Sequence, residues 1–222
     1  MWSRTPRTSR SFAGAWTRNK YENRPVAFTG SLLDVPVKEF LDSLASEEPA
    51  PASGSVAAIV VAMAAGLIAK AARASSDWPE ARSAVAQAEQ LRRRTAPLAQ
   101  SDADAYLEAL AALHLPEHLE SEVRDMALGQ VLARSAEIPL VIAEAGADVA
   151  SLAAVVANRG IADRRPDAVA AALLAASATR AAAHLVAVNL TVGPDDERVT
   201  RARAVTEVAA DAAGEAVGRE RA

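Results

Sequence analysis

From Val56 to Ala69 every side chain is apolar or glycine, and no other stretch of the chain matches this run. A helix with no polar face must be buried on all sides, so the run is predicted to be a central core helix. It is shorter than the roughly 20 residues a bilayer crossing needs, and it ends at Lys70 and Arg73. The segment in front of it reads Pro49-Ala-Pro-Ala-Ser-Gly-Ser55. The prolines favour extended backbone and lack an N–H. Gly54 permits a tight approach, and Ser55 is a suitable N-cap for a helix over 56–73. Backbone N–H groups at such a helix start can also meet a ligand.

The same reading divides the rest of the chain into helices. In 31–44, Asp34 suits an N-cap and Pro36 a first turn, with Val37, Phe40, Leu41 and Leu44 on one stripe. Ser75-Ser-Asp-Trp-Pro79 ends the central helix and opens another to Thr95, which Pro97 interrupts. Ser101-Asp-Ala-Asp104 has the form of a capping box, starting a helix to about Leu113. Leu115-Pro116 is a stop. Glu117 begins a helix to about Ala136, Pro139 falls near its end, and a continuation runs from Leu140 to Val156. After a polar loop from Asn158 to Pro166, Asp167 caps an alanine-rich helix to about Leu190. Gly193-Pro194 turns the chain and Asp195 opens the last helix, to about Val217. No segment alternates with the period of a strand. The expectation is an all-α, single-domain multi-helix bundle around a buried central helix, occupying 31–222.

Composition narrows the function. The chain has 222 residues, a net charge of −4 and no cysteine. This argues against nucleic-acid binding and excludes disulfide, thiolate and cysteine–metal chemistry. Hydrophobic residues make up 51% but aromatics only 4%. An alanine-based core buries little area per residue, so a large shared interface, and hence an oligomer, is expected. Residues 1–30 carry Arg4, Arg7, Arg10, Arg18, Lys20 and Arg24 against Glu22. They lack an amphipathic face and an apolar signal core, so they read as a basic, disordered leader outside the fold. The expected location is cytoplasmic, with no membrane association.

Several spaced segments are similar to the cyclodeaminase/cyclohydrolase family, which includes the C-terminal half of formiminotransferase-cyclodeaminase and stand-alone methenyltetrahydrofolate cyclohydrolases. They are Leu33-Asp-Val-Pro-Val-Lys-Glu-Phe-Leu41, Pro51-Ala-Ser-Gly-Ser-Val-Ala-Ala58, Asp102-Ala-Asp-Ala-Tyr106 with Leu115-Pro116, Ile138-Pro-Leu140, and Asp167 through Val188-Asn-Leu190. The chain departs from the family pattern in four places. Ala52 and Ser53 stand where the family has glycine, Ser75-Ser-Asp-Trp78 replaces a lysine-rich stretch, and Pro166 replaces a serine. The loop before Asp167 is about three residues long relative to the pattern, which leaves Asp163 as an alternative counterpart.

The resemblance implies a homodimer acting on a tetrahydrofolate one-carbon substrate, with no metal or redox cofactor. The reaction would be hydrolysis of a methenyl bridge or closure of a formimino group with loss of ammonia. Either passes through a tetrahedral carbon and requires a proton carrier. Asp102 is the candidate acid/base, its other reading being a first-turn acid favoured by the helix dipole. Tyr106, one turn on, shares its face. Asp167 would meet the pterin's donor edge or serve as an N-cap. Asn189 would bond the pterin or satisfy a helix end. Gly54 and Ser55 would cradle the ligand through backbone N–H groups. Asp102, Gly54 and Asp167 or Asp163 should then converge on one cleft, at a subunit interface. His114 and His118 straddle Pro116 and offer no metal site, and His184 reads as structural. Arg92-Arg-Arg94 is a solvated face or a receptor for an acidic tail. The competing reading is a degenerate, non-catalytic helical dimer that retains folate binding.

Overall fold

The computed structural model describes residues 30–113, 121–190 and 196–218, and all that follows concerns these. The leader, His114 to Glu120, Gly193-Pro194 and Asp195 lie outside them. The described chain is built of α1 (Val37–Leu44), α2 (Ser53–Arg73), α3 (Ala81–Thr95), α4 (Leu98–Leu113), α5 (Ser121–Arg159), α6 (Arg165–Leu190) and α7 (Glu197–Gly218). Two 3₁₀ turns, Leu32–Asp34 and Ala162–Arg164, precede α1 and α6. There is no strand among the described residues, as the absence of period-two patterning predicts.

The core is a seam between α2, α5 and α6 made mostly of alanine. Ala58, Ala64, Ala65 and Ala72 of α2, Ala143, Ala150 and Ala153 of α5, and Ala171, Ala172, Ala175 and Ala182 of α6 are fully buried. Small side chains let the axes approach closely. A Cβ added at Gly146 of α5 would collide with the Thr179 hydroxyl of α6 and lie 3.3 Å from Val61 of α2. Against this seam α3 lays a stripe of Ala81, Ala84, Ala88, Leu91 and Thr95, with its charged residues outward. Glu89 joins α3 to α2 by accepting from Arg73 at 2.6 Å and from Arg92 at 2.8 Å. These two guanidinium groups hold its carboxyl at about 2, below the ordinary value.

The starts of α2, α4 and α6 fall earlier than the local reading places them. α2 begins at Ser53, so Ser55 lies inside its first turn instead of capping it. α4 begins at Leu98, because the Pro97 carbonyl already accepts the Ser101 N–H at 3.3 Å. A proline's fixed φ suits a helix entrance, so Ser101 is an interior residue and forms no capping box. α6 begins at Arg165, placing Asp167 in its first turn, not at its cap. Before α1, Ser31 accepts the Leu33 N–H and Pro36 occupies the N-cap; Asp34 caps nothing. Of the α1 stripe, Phe40 packs on the core and Leu44 is half-buried, while Val37 and Leu41 are exposed.

α5 also differs from expectation. It runs unbroken for 39 residues with Pro139 inside it. Proline cannot donate to the carbonyl four residues back, here Ser135. That carbonyl instead accepts the Asn189 side-chain amide of α6 at 2.9 Å, so a partner from another helix allows α5 to continue.

The central helix is longer than the apolar run and is not buried all round. Twelve of its residues are buried, yet Met63 at its midpoint is 61% exposed, and Ile59, Val60, Gly66 and Leu67 are half-buried. At 21 residues it is long and apolar enough to cross a bilayer, as are stretches within 125–159 and 162–190. Shortness is therefore no argument against a membrane; these three helices pack on one another instead.

Candidate active site

Ala52, at the N-cap of α2, has no side-chain oxygen to offer the free N–H groups of the first turn. Asp102 supplies one from α4. Its carboxylate accepts the backbone N–H of Ser55, the third helical residue. It also lies 3.2 Å from the Ser55 hydroxyl through Oδ2. An N-cap side chain ordinarily bonds this same position, and here a residue 47 positions away does so. The carboxylate lies directly over Gly54. A Cβ there would overlap Oδ1, with Oδ2 at 2.6 Å, so no residue but glycine fits without displacing Asp102.

This geometry explains why the two missing glycines are tolerated. Ala52 has extended backbone open to any residue (φ −131°, ψ −160°), and Ser53 is an exposed helical residue. Only the third position of the motif touches the carboxylate, and there the chain keeps glycine.

Asp102 is 9% exposed. Burial pushes its carboxyl above the ordinary aspartate value, and the Ser55 hydroxyl and N–H partly oppose that rise. A carboxyl that holds its proton to higher pH, while still able to release it, is suited to acid/base work. Tyr106 follows one turn later and is 40% exposed. Gly54, Ser55 and Asp102 therefore converge, with Tyr106 beside them on α4.

Asp167 does not join them within one chain. It accepts from Lys70 at 3.2 Å and lies 3.8 Å from Arg164, at the C-terminal end of α2. Lys70 is 15 residues beyond Ser55, about 22 Å along the helix. Asp163 is exposed in the 3₁₀ turn before α6. Asn189 lies near the far end of α6, its amide engaged with Ser135.

The remaining candidates separate by their contacts. Arg92 and Arg93 approach Glu89 and form a solvated face. Arg94 lines a groove of about 390 Å³ between α3 and α5, together with Gln87, Gln90, Asp148 and Ser151. In the stretch that replaces the lysines, Ser75 is buried, donates to Ala71 and accepts the Ile161 N–H at 2.8 Å. Trp78 packs on the core. That stretch is structural here. His184 is exposed on α6, and the described residues contain no cluster of three metal-ligating side chains.

Two roles were not read from the sequence: the Ser55 hydroxyl as a partner of Asp102, and Lys70 as a partner of Asp167. The signal for the second was present, a lysine ending an otherwise apolar run. For the first there was none, because serine beside glycine at a helix start also reads as a cap.

The chain is 30% identical over 176 residues to a methenyltetrahydrofolate cyclohydrolase of Methylorubrum extorquens, covering 75% of this chain and 84% of that protein. Its fold is similar to the crystal structure of formiminotetrahydrofolate cyclodeaminase from Thermotoga maritima, with a TM-score of 0.73 and 22% identity. That likeness covers 86% of this chain and 99% of the other. The family model described as formiminotransferase-cyclodeaminase matches residues 36–208, a span that holds Gly54, Ser55, Asp102, Tyr106, Asp167 and Asn189. The chain belongs to the formiminotransferase-cyclodeaminase family.

Proposed function

We propose that the protein is a methenyltetrahydrofolate cyclohydrolase in which Asp102 is the proton carrier. The observation that carries this reading is the buried carboxylate of Asp102, held over Gly54 at the start of α2 in a chain similar to a cyclohydrolase along most of its length. The methenyl bridge is a cationic carbon between two nitrogens. Water attacks that carbon, and Asp102 accepts the proton the water loses. The tetrahedral adduct then breaks one C–N bond as Asp102 returns the proton to the leaving nitrogen. A formyl group results, and one proton is released overall. A carboxylate beside the cation also stabilises the charged carbon.

We further infer that the working form is a homodimer paired through α2. Met63, the most exposed large side chain of this apolar helix, is its middle residue. Leu173 and Leu174 are exposed on α6, which packs beside it. A two-fold axis near Met63 would set the Asp102 end of one α2 against the Lys70–Asp167 end of the partner's. The site residues separated within one chain would then meet across the interface, with Asp167 as a folate contact.

The reading is tested by following the loss of methenyl absorbance with the purified protein. Hydrolysis faster than buffer is expected, falling by a factor of 10² or more in Asp102→Asn, roughly the contribution of a general acid/base. No acceleration over buffer overturns it. The same protein should then be assayed for ammonia release from formiminotetrahydrofolate, which distinguishes a cyclodeaminase from a non-catalytic relative.

A further inference from the structure

Ser55 is fully buried, and its hydroxyl stands between two acceptors: the Ala99 carbonyl at 2.8 Å and Asp102 Oδ2 at 3.2 Å. A serine hydroxyl has one hydrogen and two lone pairs, so it cannot donate to both. The shorter distance is to Ala99. That carbonyl lies in the first turn of α4, where helix geometry directs the Ala103 N–H onto it, so it does not depend on the serine. The Asp102 carboxyl differs in this respect. When protonated it has a hydrogen of its own to donate to the serine oxygen; when ionised it can only accept.

We propose that Ser55 is a positioning residue whose hydroxyl changes acceptor with the state of Asp102, donating to Ala99 while the carboxyl is neutral and to Oδ2 once it is ionised. The proton itself passes between Asp102 and the substrate or solvent. No other covalent bond changes, and the serine hydrogen only turns about its C–O bond. The rotation adds a donor to the ionised carboxylate at the moment it forms, and withdraws it when the proton returns. Ser55 thereby sets the pH at which Asp102 changes state. The proposal rests on the reading of Asp102 as the acid/base.

Among the described residues, the other charged groups on the surrounding helices are exposed or engaged elsewhere. α2 has no ionisable residue before Lys70. On α4, Asp104 accepts from Gln100 and Glu108 pairs with Arg134 of α5. Also on α5, Glu137 faces Arg198 and Glu144 pairs with Arg201. Arg180 and His184 of α6 are exposed. Among the described residues, the influences on the Asp102 carboxyl are its burial, which raises it, and the Ser55 hydroxyl and N–H, which lower it.

The experiment is a pH titration of the full-length protein labelled with ¹³C at the aspartate carboxyls, the Asp102 signal assigned from its loss in Asp102→Asn. In Ser55→Ala the midpoint should rise by roughly one unit, since a hydrogen bond to a charged group is worth more than one to its neutral form. Ser55→Cys, a weaker donor of similar size, should shift it in the same direction by less. Ser53→Ala, exposed in the same turn, should leave it unchanged. An unmoved midpoint in Ser55→Ala that keeps the wild-type helical circular dichroism overturns the proposal. If that variant does not fold, an unmoved midpoint in Ser55→Cys does so. The pH–rate profile separates this from the catalytic reading. A midpoint that moves without a matching move in the rate profile leaves the Ser55 role standing and removes Asp102 from the chemistry.

Discussion

At the scale of single residues, Asp102 serves two ends that oppose each other. It caps α2 from another helix, and it does so from a buried position that penalises its charge. Its folded pKa lies above the unfolded one, so between the two values the folded chain binds more protons. Stability therefore falls as pH rises through that window: the contribution is fully present below the ordinary value of 3.8 and is lost as pH rises through the raised folded value. Asn at 102 keeps an acceptor for the Ser55 N–H and carries no charge. Asp102→Asn is expected to be more stable than the parent at pH 7, by roughly 1 kcal/mol, while losing activity. The difference should shrink toward pH 4, as urea unfolding across a pH series would show. A deficit at pH 7 would mean that the cap outweighs the burial. Gly54 belongs to the same account, because the carboxylate occupies the space a side chain would need.

Among the elements, α5 shows how a helix-breaking residue is absorbed. Pro139 removes one donor from the ladder, and the orphaned Ser135 carbonyl finds it in Asn189. Asn189→Ala should cost about 1–2 kcal/mol of unfolding free energy, the penalty of a buried carbonyl left without a partner. Pro139→Ala restores a backbone N–H for that carbonyl, so the cost of Asn189→Ala should fall in its presence. A double-mutant cycle in urea measures the difference. Equal costs in both backgrounds would show that the amide does not compensate for the proline. This bond also gives Asn189 a reason to stand where it does that is independent of any ligand.

In the molecule as a whole, α3, α4, α5 and α6 pack against its most apolar helix, which stays exposed at Met63. On the proposed two-fold pairing, each site draws Asp102 from one chain and Asp167 from the other. Asp102→Asn and Asp167→Asn would then each be inactive alone. When the two are unfolded together and refolded as a mixture, about a quarter of the wild-type activity should return. Half of the dimers are hybrids, and one of the two sites in each hybrid is intact. Recovery near zero would place both aspartates in one chain's site, and activity in Asp167→Asn alone would remove Asp167 from it. Gel filtration of Met63→Glu, which sets a charge at the centre of the face, should show a monomer.

The sequence by itself determined what depends on neighbours along the chain. The helices, their breaks at Ser75–Pro79 and Pro97, the core run of α2 and the pairing of Gly54 with Asp102 through a family motif were legible. Periodicity, proline and glycine act within a few residues. Only the tertiary structure decided where three helices begin, why α5 survives Pro139, which glycine of the motif is indispensable, and what Ser55 bonds. Each of these turns on a group that arrives from far away in sequence. Asp102 reaches the start of α2 across 47 residues, and Asn189 reaches Ser135 across 54. A free N–H or carbonyl is satisfied by whichever partner packing brings to it, and local sequence does not say which partner that is.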